Sequence, residues 1–269
     1  MIVTKYYEAL NLRDNPFSLT PDPDKFFLMA SHVEAMDTVL FALDNGVPMV
    51  RIYGDPGTGK TVLLKHLKGR LLKERGIRSI YVAYNPMMGP FELAESVLGF
   101  RPESFKPGVI SEAVRRLTSE GIYVVLLDEA QDMGRDHFLF IKYLLDESGS
   151  GDGGRIFIVC AGTGRLKSLF EEEDLRPLAQ RAPYKSVLVG LRRDELSGYI
   201  DYRLRQAGYS GEFPFSWWAL RLIWRKTKGN PRRVNILAER SLLAAIVRGK
   251  RKVGRKEVKE AIRDLPEDV

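Results

Sequence analysis

The pattern of apolar positions divides the chain into an α/β part and a helical part. Before Gly190, short continuous apolar runs alternate with stretches in which apolar residues recur every three or four positions, as on one face of a helix. Continuous runs of this kind are typical of strands in a parallel sheet that helices cover on both faces. The five predicted strands lie at residues 48–53, 79–84, 122–127, 156–161 and 187–189.

After Arg193 the pattern is helical throughout, and it predicts four helices. The second of these begins at Trp217 and Trp218 and is so apolar that its tryptophans are predicted to lie in a core rather than to stack on bases. Asn230 is available to cap the third helix, and Pro231 suits its first turn. The predicted domains are therefore residues 1–190, which include an N-terminal loop, and residues 191–269.

Length and composition are those of a two-domain protein with a full core, since the chain has 269 residues of which 44% are hydrophobic. No apolar run approaches the ~18 residues needed to span a bilayer, and the first eight residues lack the order of a signal peptide. A cytoplasmic location is therefore expected. The single cysteine, Cys160, is predicted to be a buried thiol. The three histidines have no metal-ligand spacing, so metal chemistry is expected only as Mg²⁺ with nucleotide.

The excess of basic residues lies in the C-terminal domain. The whole chain carries a formal charge of +7, whereas residues 191–269 alone contain 19 Lys and Arg against 10 Asp and Glu. Such a division favours an anionic partner, although solubility and ion pairing explain many basic domains equally well. The basic loop at residues 248–256 is the best nucleic-acid patch in the sequence, with a solvated loop as the commoner explanation.

The strongest motif follows the first predicted strand and predicts a phosphate-binding loop. The segment that fits G-x-x-x-x-G-K-[ST] at every fixed position is Gly54-Asp55-Pro56-Gly57-Thr58-Gly59-Lys60-Thr61. Its glycines allow backbone N–H groups to face phosphate oxygens, and the helix that follows directs its positive end at the same charge. Lys60 is predicted to reach the β- and γ-phosphates of ATP, and the Thr61 hydroxyl to ligate Mg²⁺. A chance glycine-rich turn is the alternative.

Two carboxylates follow the third predicted strand. Asp128 and Glu129 come directly after the apolar run at residues 122–127. In a doubly wound sheet this end of a strand borders the crevice where ligands bind. Asp128 is predicted to hold the water shell of Mg²⁺, and Glu129 to act as the general base on the attacking water. Many strands end in acids, so the prediction depends on the phosphate loop upstream.

Further candidate residues follow the fourth strand. Thr163 is a candidate sensor of the γ-phosphate, because its polar side chain lies in the segment Gly162-Thr163-Gly164-Arg165 that closes the strand at residues 156–161. A guanidinium from the segment that follows, Arg176 or Arg181, is a candidate arginine finger for the nucleotide of a neighbouring subunit. A surface arginine is the plainer alternative for either residue.

Six short segments carry a resemblance to a known family. They are Asn15-Pro16-Phe17, residues 21–28, His32-Val33-Glu34-Ala35, Asp128-Glu129-Ala130-Gln131, Leu178-Ala179-Gln180-Arg181 and residues 229–235. Together they resemble the ExeA/GspA-like general-secretion ATPases of the AAA+ class. Within that group the chain is most similar to the short pilus-biogenesis members of the MshM type. The resemblance covers nearly the whole chain.

The resemblance implies a P-loop AAA+ fold, which is a three-layer sandwich around a five-stranded parallel sheet, followed by a small all-helical lid. It also implies a ring or similar oligomer with ATP at the subunit interfaces. Arg232 matches the second-sensor arginine of the lid, and Arg181 matches the arginine offered to the neighbouring site. Pro16 and Phe17 fall where the N-terminal loop approaches the adenine.

The chain departs from the family pattern in two respects. After the fourth strand it has Gly162-Thr163-Gly164-Arg165-Leu166 in place of the usual Gly-Gln-Pro-Glu-Leu, which affects the sensor role of Thr163. The membrane segment and peptidoglycan-binding extension of the longer members are not found in this sequence. An envelope role at the inner face of the cytoplasmic membrane would then need a partner that supplies the anchor.

Two functions agree with these features, and both include ATP hydrolysis. The first is an ATPase that drives assembly of a secretion or pilus machine, with envelope assembly proteins as partners. The second is a DNA-binding AAA+ regulator that resembles the transposition helpers, with the basic lid on double-stranded DNA. The match over the whole chain favours the first function, and the positive lid favours the second.

Overall fold

The structure is a computed structural model that describes residues 7, 10, 12–20, 25–148 and 154–264. It divides into two units, one formed by Ser31–Leu188 and the other by Met1–Ala30 together with Val189–Val269. We call the first the α/β unit and the second the helical unit. Among the described residues, no helix combines the length and the apolar character needed to cross a bilayer.

A five-stranded sheet forms the centre of the α/β unit. Its strands are β1 (Met49–Gly54), β2 (Arg78–Ala83), β3 (Tyr123–Asp128), β4 (Ile156–Gly162) and β5 (Tyr184–Leu188). They lie in the order β2-β3-β4-β1-β5, and every pair of neighbours is parallel. The predicted five-stranded parallel sheet is therefore confirmed, although β5 begins three residues earlier than the apolar run indicated.

One helix precedes the first strand of this sheet, and the others connect its strands. They are α1 (Ala30–Asp44), α2 (Lys60–Arg75), α3 (Pro90–Leu98), α4 (Pro107–Thr118), α5 (Arg135–Ser148), α6 (Gly164–Leu169) and α7 (Arg176–Arg181). Two single turns of 3₁₀-helix, Ala130–Asp132 and Glu173–Leu175, follow β3 and α6. The strands β3, β4 and β1 lie side by side and are parallel. Their carboxyl ends therefore border one crevice at the same edge of the sheet.

The strands are buried on both faces, as their continuous apolar runs predict. On one face, alternate residues of the central strands pack with α3, α4 and α5 in the main core of this unit. The residues between them in the strands, such as Val50 and Leu126, are also fully buried. Cys160 belongs to this core, and burial raises the pKa of its thiol to about 12. The prediction of a buried thiol is confirmed.

The helical unit contains α8 (Glu195–Gln206), α9 (Trp217–Thr227), α10 (Pro231–Val247) and α11 (Arg255–Arg263). Asn230 caps α10, since its side-chain oxygen accepts hydrogen bonds from the backbone N–H groups of Arg232 at 3.1 Å and Arg233 at 3.3 Å. Pro231 occupies the first turn, where its missing N–H costs nothing. Both features agree with the sequence pattern.

The N-terminal segment belongs to the helical unit, whereas the sequence assigned residues 1–190 to the nucleotide domain. Phe17 is 1% exposed and its ring meets that of Phe215 edge-on, with centroids 6.5 Å apart. Arg203 of α8 donates to the backbone oxygens of Pro16 at 2.6 Å and Ser18 at 2.7 Å. The N-terminal loop packs in the helical unit because this unit supplies an apolar site for Phe17 and hydrogen-bond donors for the carbonyl groups of the loop.

The prediction that Trp217 and Trp218 lie in a core is wrong. Their exposed fractions are 53% and 58%, and only Trp224 is partly buried, where its indole N–H donates to the Leu191 oxygen at 3.0 Å. The buried stripe of α9 is formed by Ala219, Leu222, Ile223 and Thr227. This spacing directs the first turn of the helix outward.

The backbone segments around Leu191 and Gly229 pass close to each other in the helical unit. The Leu191 N–H donates to the Gly229 oxygen at 2.8 Å. Gly229 has a φ of +76°, and a Cβ atom at this position would lie 2.1 Å from the Leu191 oxygen. A side chain at this position therefore forces the two segments apart.

We predict that Gly229→Ala lowers the free energy of unfolding of the helical unit by about 3 kcal/mol, because it adds backbone strain and a steric clash. Denaturant unfolding followed by tryptophan fluorescence measures this, since all three tryptophans lie in that unit. Gly198→Ala is the matched control. It lies within α8, where an added Cβ finds only Phe27 at 3.9 Å. An equal loss in both variants would contradict the prediction.

Candidate nucleotide-binding site

The predicted phosphate loop lies between β1 and α2. β1 ends at Gly54 and α2 begins at Lys60, as the motif requires. Gly57 and Gly59 have φ angles of +85° and +93°, which side chains adopt only with strain. The Lys60 ammonium donates to the backbone oxygens of Gly54 at 2.8 Å and Asp55 at 3.3 Å.

Lys60 is 6% exposed and lies among acidic groups. Burial lowers the pKa of its ammonium, and the charges of Glu129, Asp128 and Asp55 oppose this shift. The attraction by these carboxylates favours the charged form, which is the form that binds phosphate.

His32 of α1 supports the phosphate loop from behind. Its Nε2 lies 2.9 Å from the Thr58 oxygen, and the ring is 2% exposed. A Cβ on Gly59 would lie 2.9 Å from the same Nε2, so the glycine is required for the close approach. From the sequence, His32 belongs to a segment of the family resemblance and lacks metal-ligand spacing, and neither observation predicts this contact. Its helical position before the first strand gave no indication of which loop it would meet.

Asp128 accepts hydrogen bonds from three directions. Its Oδ2 accepts from the Thr61 hydroxyl at 2.6 Å and from the Tyr81 hydroxyl at 2.9 Å, and its Oδ1 accepts from the Glu129 N–H at 3.0 Å. The carboxylate is 1% exposed. The structure thus brings the two predicted magnesium residues, Thr61 and Asp128, into direct contact.

Tyr81 of β2 is a site residue that the sequence analysis missed. Burial, followed by the charge of Asp128, raises the pKa of its phenol, so the hydroxyl remains protonated and donates to Asp128. Ala83 pairs with Asp128 in the sheet, and Tyr81 lies two residues earlier on the same face of β2. Only the register between β2 and β3 places it there, and the sequence does not give that register.

Glu129 lies at a strained turn just after β3. Its φ is +55°, in the left-handed region that few residues other than glycine adopt. Its Oε2 accepts a hydrogen bond from the Gln131 amide at 2.8 Å. The same amide group donates to Asp132 at 2.9 Å, and its oxygen accepts from the Thr163 N–H at 3.0 Å.

The oxygen groups at this edge of the sheet fit Mg²⁺ bound together with nucleotide. A hydroxyl and a carboxylate, from Thr61 and Asp128, are hard ligands of the kind that Mg²⁺ prefers. Among the described residues, no group of three or more His, Cys, Asp or Glu side chains forms a metal site of its own. The phosphates and water would therefore have to supply the remaining ligands, as is usual for Mg²⁺.

The other predicted site residues lie in different parts of the structure. Thr163 follows β4 directly, and its backbone N–H joins the Gln131 network described above. Arg181 ends α7 and forms an ion pair with Asp146 of α5. Arg232 lies in the first turn of α10, which belongs to the helical unit. Pro16 and Phe17 lie in the N-terminal segment of the same unit. The roles of these residues remain predictions.

Comparison with known proteins finds an AAA domain and a similar secretion protein. A family described as an AAA domain matches residues 45–170. Over 261 residues the chain is 27% identical to General secretion pathway protein A of Aeromonas hydrophila, with 92% of this chain covered. The alignment covers 46% of that relative, so the chain spans about half of its length.

Solved structures share the fold. The chain superimposes on Cdc6p of Pyrobaculum aerophilum with a TM-score of 0.70 and 18% identity, covering 95% of this chain and 72% of that one. For the ORC2 protein of Aeropyrum pernix the TM-score is 0.67 and the identity 19%, and the match covers 93% of this chain and 71% of that one. For the RuvB branch migration motor of Thermotoga maritima the TM-score is 0.59 and the identity 18%, and the match covers 92% of this chain and 72% of that one.

The AAA match includes the strands that carry the phosphate loop and Asp128, and the similarity to the secretion protein extends over nearly all of the chain. The chain therefore contains an AAA-type ATPase domain and is similar to General secretion pathway protein A beyond that domain.

Proposed function

We propose that this ATPase is an oligomeric switch whose ATP cycle drives assembly of a secretion or pilus machine. The contact between Thr61 and Asp128, with Lys60 and Glu129 beside it, supports the ATP chemistry. The similarity to General secretion pathway protein A supports the process. Envelope assembly proteins are the proposed partners.

Each predicted site residue has a role in this proposal. Lys60 binds the β- and γ-phosphates, and Thr61 and Asp128 would hold Mg²⁺, which would neutralise phosphate charge. Glu129 accepts a proton from water while the water oxygen bonds to the γ-phosphorus and the bond to the departing ADP oxygen breaks. Thr163 follows β4 at the same edge and is the proposed first sensor. Arg232 is the proposed second sensor, and the N-terminal loop that contains Pro16 and Phe17 is proposed to contact the adenine.

Arg181 is proposed to act on the nucleotide of a neighbouring subunit. It ends α7, three residues before β5, and its side chain is 34% exposed. The ion pair with Asp146 holds the guanidinium at the surface of the α/β unit instead of burying it. A planar guanidinium that is already desolvated in part can exchange a carboxylate for phosphate oxygens at little cost.

We predict that Glu129→Gln binds ATP with an unchanged Kd but lowers kcat by about 100-fold or more, because the general base is lost. Lys60→Ala should lose ATP binding itself. Fluorescent-nucleotide titration and steady-state hydrolysis separate the two effects. Glu172→Gln, a change at an exposed carboxylate, is the matched control and should behave as wild type. Normal turnover of Glu129→Gln would refute the role of Glu129 as base.

We predict that Arg181→Ala binds ATP but does not hydrolyse it, and that mixing it with Lys60→Ala restores activity. In a mixed ring some interfaces join an intact Lys60 to an intact Arg181, so an equal mixture should recover about a quarter of the wild-type rate. Arg176→Ala is the matched control, since Arg176 is exposed at the start of the same helix. If Arg176→Ala shows this behaviour instead, Arg176 is the arginine that acts in trans.

A second candidate function, a DNA-binding AAA+ regulator, is favoured by one surface of the helical unit. The guanidinium groups of Arg193 and Arg221 lie 5.7 Å and 5.4 Å from the ring centre of Trp217. Trp218 stands at 82° to that ring with its own surface exposed. Indole rings beside cations fit bases and phosphates. Arg193 and Arg221 form no ion pair with any carboxylate that the structure describes.

This surface is a better nucleic-acid candidate than the basic loop at residues 248–256. In that loop Arg248 and Lys250 both pair with Glu257, at 3.6 Å and 2.7 Å. The hydrogen bond from Lys250 lowers the pKa of the Glu257 carboxyl to about 2. Part of the positive charge of the loop is therefore neutralised within the unit.

We predict for this second candidate an ATP-dependent gel shift of duplex DNA that weakens steeply with salt, because phosphate contacts release counterions. Trp218→Ala and Arg221→Gln should each weaken the shift by about tenfold or more. The control is Arg116→Gln, which removes an exposed arginine of the α/β unit that pairs with Glu112. Absence of a shift at low salt with an ATP analogue would exclude the candidate.

A further inference from the structure

Both the nitrogen and the oxygen of the Gln131 side-chain amide form hydrogen bonds within the site. Gln131 is 6% exposed and lies in the 3₁₀ turn after Glu129. Its two N–H groups donate to Glu129 Oε2 at 2.8 Å and to Asp132 Oδ2 at 2.9 Å. Its oxygen accepts from the Thr163 backbone N–H at 3.0 Å. One buried side chain thus joins the predicted base to the turn that follows β4.

Only a primary amide satisfies these three neighbours. The two carboxylates require two hydrogen-bond donors, and the Thr163 N–H requires one acceptor. A glutamine side chain provides two N–H donors and one oxygen acceptor. A carboxylate at this position would face two others, and an apolar side chain would leave the Thr163 N–H without its acceptor. Asparagine is shorter by one methylene group.

The backbone of β4 leaves room for this side chain. Gly162 lies directly before Thr163, and a Cβ atom at Gly162 would come within 2.7 Å of the Gln131 oxygen. Asp132, the second acceptor of the amide, also pairs with Arg165 of α6 at 3.5 Å. The turn after β3 and the turn after β4 are therefore joined at two points.

We propose that Gln131 is a positioning residue that fixes the carboxylate of Glu129 and couples it to the turn at Thr163. The proposal rests on the proposed role of Glu129 as base. Gln131 holds Oε2 in place, while Oε1 takes no hydrogen bond from any residue that the structure describes and is proposed to accept the proton of the reacting water. A shift of the Thr163 turn is transmitted to Glu129 through the amide, which gives the base a connection to the proposed first sensor.

The geometry accounts for why such a residue is needed here. Glu129 lies at a φ of +55°, so its backbone conformation is strained and its side chain has no helix or strand to orient it. An unrestrained glutamate side chain has several rotamers, and only some of them direct an oxygen toward the water. A charge-assisted hydrogen bond from a buried amide selects one of them.

The test compares Gln131→Met and Gln131→Glu with the wild-type chain. Gln131→Met removes all three hydrogen bonds at similar volume, whereas Gln131→Glu keeps an acceptor for Thr163 and removes both donors. Both variants should lower kcat by about 10-fold to 100-fold while KM for ATP stays close to wild type. Gln206→Met, at an exposed position of α8, controls for the change of glutamine to methionine.

A double-mutant cycle distinguishes positioning from a general structural role. If Gln131 acts through Glu129, Gln131→Met should cause no further loss of single-turnover rate in a Glu129→Gln background, because the base is already absent. An equal loss in both backgrounds would overturn the proposal, as would wild-type kcat in both Gln131 variants. Normal turnover of Glu129→Gln alone would instead remove the proposed base. A lowered melting temperature with unchanged kcat would show a structural role and overturn the proposal.

Discussion

The hydrogen bond between Thr61 and Asp128 is the interaction on which the site depends. β4 lies between β1 and β3, so the phosphate loop and Asp128 come from strands that are not neighbours. The 2.6 Å contact holds the start of α2 against the end of β3. Tyr81 approaches the same carboxylate oxygen from β2, on the other side. Three of the five strands therefore orient one carboxylate, which fixes the side of the crevice where a cation can bind.

The features predicted from the sequence are those that depend on local pattern. The strands are continuous apolar runs, and the phosphate loop is a segment of eight residues whose glycines and lysine act within that segment. Asp128 follows its strand directly, so its place at the carboxyl edge follows from the strand assignment alone. None of these features depends on which strands are neighbours in the sheet.

The residues that the sequence analysis missed depend on contacts between distant segments. His32 reaches Thr58 from a helix that precedes β1, and Tyr81 reaches Asp128 through the register of β2 and β3. The burial of Phe17 depends on helices that follow it by about 200 residues of sequence. The error at Trp217 is different. The high apolar content of α9 predicts a buried helix, but it does not show which face is buried. The buried stripe begins at Ala219 and so excludes Trp217 and Trp218 in the first turn.

The balance of charge at the crevice explains why one glutamine occupies so central a position. Asp128, Glu129 and Asp132 bring three carboxyl groups to the end of β3. Thr61, Tyr81 and a backbone N–H satisfy Asp128, and Lys60 is attracted by both Asp128 and Glu129. Glu129 then needs a donor that carries no charge, because another cation would compete with the divalent ion for the same oxygens, whereas Asp132 also pairs with Arg165. A buried amide provides two such donors, and since its oxygen is held by the turn after β4, it can move only when that turn moves.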